Sequence, residues 1–376
     1  MSSYTLVTLF KSMAGGGTIM SRMMKLLIVI FVLALVLGTG GCGDEGTAPP
    51  ASGTGTPDVI ETPTPVTLKL VTSAVEGTPR GQVYNHFAEL VEEYTDDRVL
   101  VDVYPGSQLF PTTEEWEAVV TGAVDIFGDS SYYISTYVPD VMVFYLDGLW
   151  ESYDQAYAAL EDSELPQILA DKVEEAGPVK MLGLLPGGMA GCVLTRDREA
   201  VLLTDLEGLR CQSSPGAPTA PIYDYAGMKD IPISLEEVST AFIQGIVDAV
   251  QYPPTAITGM RLYETANHAI CRTAWFFTTA MVINGESWEN LTPDVQNIIL
   301  NQVMPDTYEF AKVIYRDDED TALALIEQNV DTMNWVTQDD FDVYVEYAQT
   351  HPVSKVQMLM IEPRIIDIIE ELSPGN

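Results

Sequence analysis

Apolar and polar residues alternate along Thr67-Leu-Lys-Leu-Val-Thr-Ser, a period of two that predicts a first strand. From Gly81 to Tyr94 the period changes. Val83, Phe87, Leu90, Val91 and Tyr94 fall at helical spacing. Val99-Leu-Val-Asp-Val-Tyr reads as a second strand, closed by Pro105-Gly106. A helix follows over Glu114 to Val120, then a short buried strand over Val124-Asp-Ile-Phe. Tyr153 to Leu160 and Glu164 to Glu175 read as helices, and Val179 to Leu185 as a strand ending at Pro186-Gly-Gly. Strand and helix alternating in this way predict an α/β layer fold with a largely parallel sheet.

The second half repeats the style without repeating the sequence. Cys192-Val-Leu-Thr and Leu209-Arg-Cys-Gln read as strands, Leu235 to Gln244 as a helix and Ile246 to Gln251 as a buried strand. Met281-Val-Ile-Asn reads as a crossing strand. Helical periodicity then runs from Pro293 to about Gln328, with Thr292 as N-cap and Pro293 in the first turn. Such a helix is roughly 54 Å long at 1.5 Å per residue, longer than one small domain, so it is expected to span two.

The N-terminus changes the picture. Met24 to Leu37 is an apolar run led by Arg22 and Lys25 and followed by Gly-Thr-Gly-Gly-Cys42. A basic start, a short apolar stretch and small residues make a signal peptide, and the run is short of the roughly 20 residues a membrane span needs. Cys42 after two glycines resembles the bacterial lipobox, although Thr39 stands where Leu or Val is usual. An uncleaved anchor helix is the alternative. Either way the bulk of the chain is expected outside the cytoplasmic membrane. Gly43 to Pro65 is Gly, Thr, Pro, Ser and Ala with a few acids, which reads as a flexible tether.

Charge narrows the function. The chain has 18 Lys+Arg against 55 Asp+Glu, a net charge of -37. Nucleic-acid binding needs bases to displace counterions and is excluded on this ground. The acidity reads as a solvated surface. Three further cysteines, Cys192, Cys211 and Cys271, match no zinc spacing. They read as small core residues, with a Cys192–Cys211 disulfide as the minor alternative. The chain has only three histidines, His86, His268 and His351, and no nucleophile elbow or metal-ligand motif, so no enzyme, cofactor or metal is expected.

Four segments, in order, carry a family resemblance. They are Val103-Tyr-Pro-Gly-Ser-Gln-Leu-Phe with Val119-Val-Thr-Gly-Ala-Val-Asp-Ile; Thr204-Asp-Leu-Glu-Gly-Leu-Arg-Cys-Gln; Glu237-Val-Ser-Thr-Ala-Phe-Ile-Gln-Gly-Ile-Val-Asp-Ala-Val-Gln-Tyr-Pro; and Trp288-Glu-Asn-Leu-Thr-Pro-Asp. The chain from Thr67 onward resembles the DctP-type substrate-binding proteins of tripartite ATP-independent periplasmic (TRAP) transporters. The resemblance implies a two-domain α/β fold of the type II periplasmic-binding-protein kind, with hinge strands and a long domain-spanning helix. It divides the chain into a signal peptide (1–41), a lipid-anchored tether (42–66), domain I (67–189 with about 278–317) and domain II (190–277 with about 318–376). It implies capture of a small organic solute in the cleft and delivery to TRAP permease membrane subunits, with no hydrolysis. A ligand-sensing lipoprotein receptor shares the fold and is the second reading, with an exported hydrolase as a remote third.

The departures from the family lie in the pocket. The family's signature arginine, which grips a carboxylate bidentately, falls at Gln212, and a second arginine falls near Cys192. The acid and amide before the proline are Gln251 and Tyr252. A two-residue shift would let Arg210 serve. The favoured reading is a changed ligand, neutral and polar or aromatic, suited to the amide of Gln212. Further lining candidates by family position are Glu76, Ser130, Ser131 and Trp275; Arg261 and Arg272 are weaker candidates for a replacement clamp.

Overall fold

The computed structural model describes residues 65–213, 220–273 and 275–372. The segments expected to be a signal peptide and a tether, with Cys42, lie almost entirely outside the described residues. Eleven strands form two sheets: β1 Val66–Val71, β2 Val99–Tyr104, β3 Ile126–Ser130, β4 Val179–Pro186, β5 Ala190–Thr195, β6 Arg210–Ser213, β7 Lys229–Pro232, β8 Ala249–Tyr252, β9 His268–Thr273, β10 Thr278–Asn284 and β11 Thr332–Trp335. The first sheet has the order β2-β1-β3-β10-β4 and the second β11-β9-β5-β8-β6-β7.

The sheets are mixed rather than largely parallel, and the reason is the crossing of the chain between them. Every described pairing of β5 or β10 is antiparallel, and every other is parallel. β5 enters the second sheet directly from β4 of the first, and β10 enters the first directly from β9 of the second. A strand that arrives from the neighbouring lobe runs against strands delivered by crossover helices. The two crossings lie side by side: Phe277 donates its N–H to the carbonyl of Gly188 at 2.8 Å. A Cβ on Gly188 would stand 2.3 Å from Glu319 Oε2, so a side chain there would have to push that carboxylate aside.

Each sheet is buried on both faces by its own apolar clusters, which is why strands such as β3 and β10 are buried at every position. The third crossing is helical. Pro293–Ile298, a π-turn at Ile299–Val303 and Met304–Asn329 run as one helix about 55 Å long. Thr292 caps it. Pro305 has no N–H for the carbonyl one turn back, and the chain widens into a π-turn just before it. This helix packs on the Pro79–Tyr94 helix and β4 of the first lobe and on the Pro254–Gly259 helix and β11 of the second. The last helix, Pro363–Glu371, belongs to the first lobe, unlike the sequence expectation for 318–376. Its Ile365, Ile368 and Ile369 join the core beneath Phe144, Trp150 and Leu165. No helix among the described residues is long and apolar enough to cross a membrane.

Candidate functional site

The parallel strands of both sheets end toward the space between the lobes, the place where open α/β sheets bind ligands. The chain just past β1 (Ser73, Val75), past β2 (Gly106, Ser107) and at the end of β3 (Ser130) lines a cavity of about 470 Å³. The second lobe closes it with Leu235, Glu236, Tyr252 at the end of β8, and Met260. Tyr315 of the long helix and Phe277 of the second crossing also line it. A neighbouring cavity of about 450 Å³ shares Ser107, Tyr133, Leu235 and Glu236.

The lobes touch across the cleft. Thr112 of the first lobe donates its hydroxyl to Glu236 Oε1 of the second at 2.7 Å. Gly259 of the second lobe lies so near Thr78 of the first that a Cβ there would meet its methyl at 2.6 Å. Burial pushes the Glu236 carboxyl up, but hydrogen bonds from Thr112 and from the backbone outweigh it, and the net shift is downward.

Among the described residues, one cation lines the cavity. Arg80 is placed by Thr78, whose side chain caps the Pro79–Tyr94 helix and so turns the first helical residues toward the cleft. Its Nη1 donates to Asp129 Oδ1 at 2.5 Å and its Nη2 to Ser73 Oγ at 2.9 Å. Asp129 is fully buried in β3 and also accepts the N–H of Ser73 and of Ser130, each at 2.6 Å. Burial alone would lower the Arg80 pKa; Asp129 reverses this and holds it raised. Behind Asp129 lies Glu115, fully buried, whose oxygens receive no hydrogen bond from another group. Burial, and then the charge of Asp129, push its carboxyl up to about 10, so at neutral pH it carries a proton that it can share with Asp129.

The profile of the bacterial extracellular solute-binding protein family 7, DctP, matches residues 70–350. The chain belongs to that family. As a family 7 chain it is an extracytoplasmic solute-binding protein of the TRAP type. It is 26% identical over 260 residues to the C4-dicarboxylate-binding periplasmic protein DctP of Rhodobacter capsulatus, covering 69% of this chain and 77% of that one. The fold is similar to a TRAP periplasmic solute-binding protein from Sulfurospirillum deleyianum with bound succinate. There the TM-score is 0.74 at 21% identity, covering 82% and 99% of the two chains. It is also similar to the sugar acid binding protein DctPAm from Advenella mimigardefordensis in complex with galactonate. There the TM-score is 0.75 at 20% identity, covering 82% and 99%.

In this family 7 protein the cavity gathers only some of the residues expected from the sequence. Tyr252 and Ser130 line it, Ser130 with its hydroxyl 2.7 Å from that of Tyr145. Gln212 does not. It is buried, and its Nε2 donates to the carbonyl of Ile233 at 2.9 Å, so the amide is spent inside the second lobe. Cys192 is likewise removed from ligand contact, because it is bonded to Cys271. The alternative Cys192–Cys211 pairing fails because β8 lies between β5 and β6, whereas β5 and β9 set Cys192 directly opposite Cys271. Among the described cysteines, Cys211 is the free, buried thiol. Gln251 is next to Tyr252 on one strand, so alternation turns it to the other face. Glu76 is exposed and outside the cavity lining. Ser131 is buried against the Thr278 hydroxyl at 2.7 Å, and Trp275 lies under the guanidinium of Arg272 at 5.4 Å; neither lines the cavity.

The substitute cations proposed from the sequence are also occupied elsewhere. Arg210 binds both oxygens of Asp248, at 2.9 and 2.6 Å, which rules out the two-residue shift. Arg272 binds Asp147 and Arg261 binds Glu264. Arg80 is the residue the sequence reading missed. The signal was Asp129: a carboxylate in a strand buried at every position needs a paired cation.

Proposed function

We propose that this solute-binding protein captures a small organic acid in the interlobe cleft, with Arg80 receiving the carboxylate, and hands it to the TRAP permease. The observation that carries this reading is the one guanidinium that lines the cavity among the described residues, fixed by Asp129 and Ser73 so that its remaining N–H groups are left for a ligand. The carboxylate ligands of the structural relatives support it. It replaces the expectation of a neutral ligand, which rested on Gln212. The N-terminal apolar run and Cys42 support export and lipid anchoring, with the acidic domain held by its tether at the outer face of the cytoplasmic membrane.

The test is a thermal-shift screen of the full chain against mono- and dicarboxylates, sugar acids, amino acids and neutral aromatics. A ligand at 100 times its Kd adds ~2.7 kcal/mol, a shift of several degrees. Hits confined to compounds without a carboxylate would sink the reading. Mass spectrometry of the lipid-bearing N-terminal peptide checks Cys42.

A further inference from the structure

The cleft carries a second charge, and it faces the first from the other lobe. Among the described Lys, Arg, Asp and Glu side chains, only Arg80 and Glu236 line the 470 Å³ cavity. We propose that the cleft selects acids with one carboxylate and a hydrogen-bond donor, hydroxyl or ammonium, toward the far end, and rejects dicarboxylates. This rests on the reading that Arg80 takes the ligand's carboxylate.

The donor count sets the first half of the selection. A guanidinium has five N–H donors, and Arg80 has committed one to Asp129 and one to Ser73. Three remain, enough for one carboxylate. No second Lys or Arg stands among the described lining residues, so a second ligand carboxylate would meet no cation of its own.

Glu236 sets the second half. It stands where the two cavities meet, with Oε1 taken by the Thr112 hydroxyl. An ionised carboxylate only accepts, so the ligand group beside it must donate. A second ligand carboxylate placed there would face a like charge. The rest of the wall is neutral and polar in places. Tyr133, Tyr252 and Phe277 add aromatic surface, and Ser107 and Ser130 add hydroxyls. The overall charge of -37 acts in the same direction, since it repels a dianion more than a monoanion or a zwitterion.

Matched carbon skeletons test this by titration calorimetry on the full chain. The series are butyrate, 4-hydroxybutyrate, 4-aminobutyrate and succinate, then gluconate and glucarate. The hydroxy or amino member of a series is expected to bind on the order of tenfold more tightly than its dicarboxylate. Glu236→Gln, which keeps an oxygen for Thr112, is expected to close most of that gap. The double variant Arg80→Gln/Asp129→Asn removes the buried pair together, so it tests the clamp without stranding a charge; it is expected to lose binding of every acid while melting cooperatively. Dicarboxylates binding as tightly as their hydroxy partners, or a gap unchanged in Glu236→Gln, overturn the selection and leave acid capture standing. Acids that bind the double variant as well as they bind the native chain, or none binding the native chain, overturn the Arg80 reading and the selection with it.

Discussion

Glu319 Oε2 accepts the main-chain N–H of Ala190 at 3.0 Å, so the long helix holds the first crossing between the lobes. The same oxygen accepts the N–H of Met189 at 3.0 Å, and Oε1 accepts the hydroxyl of Tyr153 at 2.8 Å. Glu319→Ala strands these donors at a buried place. A loss of about 2–4 kcal/mol is expected in urea unfolding, and Glu319→Gln is expected to lose less because its amide oxygen still accepts. Gly188→Ala is expected to be destabilised by about 1–3 kcal/mol, since its Cβ would be driven into Glu319. A Glu319→Ala variant as stable as the native chain would mean that the crossing is held by packing alone.

The buried carboxyl of Glu115 makes stability fall as pH rises. Its pKa is raised by burial from 4.5 to about 10. Below pH 4.5 it is protonated in both the folded and the unfolded chain, and its contribution is fully present. Between 4.5 and about 10 the unfolded chain releases the proton and the folded chain keeps it, at up to ~1.4 kcal/mol per pH unit. Glu115→Gln removes this slope and can still donate to Asp129. Its melting temperature is expected to exceed the native value at pH 8 and to approach it at pH 4.5. Parallel melting curves across that range would show that Glu115 is ionised in the fold.

The Cys192–Cys271 bridge closes a loop of sequence separation 79. The chain-entropy model gives it about 4.5 kcal/mol. Thermal unfolding with and without reductant is expected to show a large drop in melting temperature. Cys211 is expected to stay unalkylated in the native protein at pH 8, because burial pushes its thiol up to about 12. Rapid labelling of Cys211 without unfolding would contradict its place in the core.

Arg272 and Asp147 tie the lobes at a second buried point. Their ion pair is 2.6 Å long, the Arg272 side chain is 3% exposed, and Tyr344 also donates to Asp147. Arg272→Met leaves the Asp147 charge without a cation, at an expected ~3–5 kcal/mol in denaturant titration. Adding Asp147→Asn is expected to recover part of that loss, and no recovery would mean that Arg272 acts mainly by stacking on Trp275 and Tyr344.

The long helix and the central strands were legible because burial writes a period into the sequence. Thr292-Pro293 marks the start of that helix in the sequence itself. β7 and β11 were not legible: they are four-residue edge strands with no fully buried position, and leave no alternation. β9 was hidden by Arg272, a charge inside a buried strand whose partner lies 125 residues away. The site was the least legible part. Gln212 drew attention through its family position, yet its amide is turned to Ile233. Arg80 drew none, because Thr-Pro-Arg-Gly reads as an ordinary helix start, and only the fold brings it to Asp129.

The return of the Pro363–Glu371 helix to the first lobe sets an order on folding. Ile365, Ile368 and Ile369 close a core that begins with Val71. The first lobe therefore cannot finish packing until nearly the whole chain has been made. An N-terminal fragment of almost any length exposes an open apolar face, and such a face is where a half-made chain associates with its neighbours.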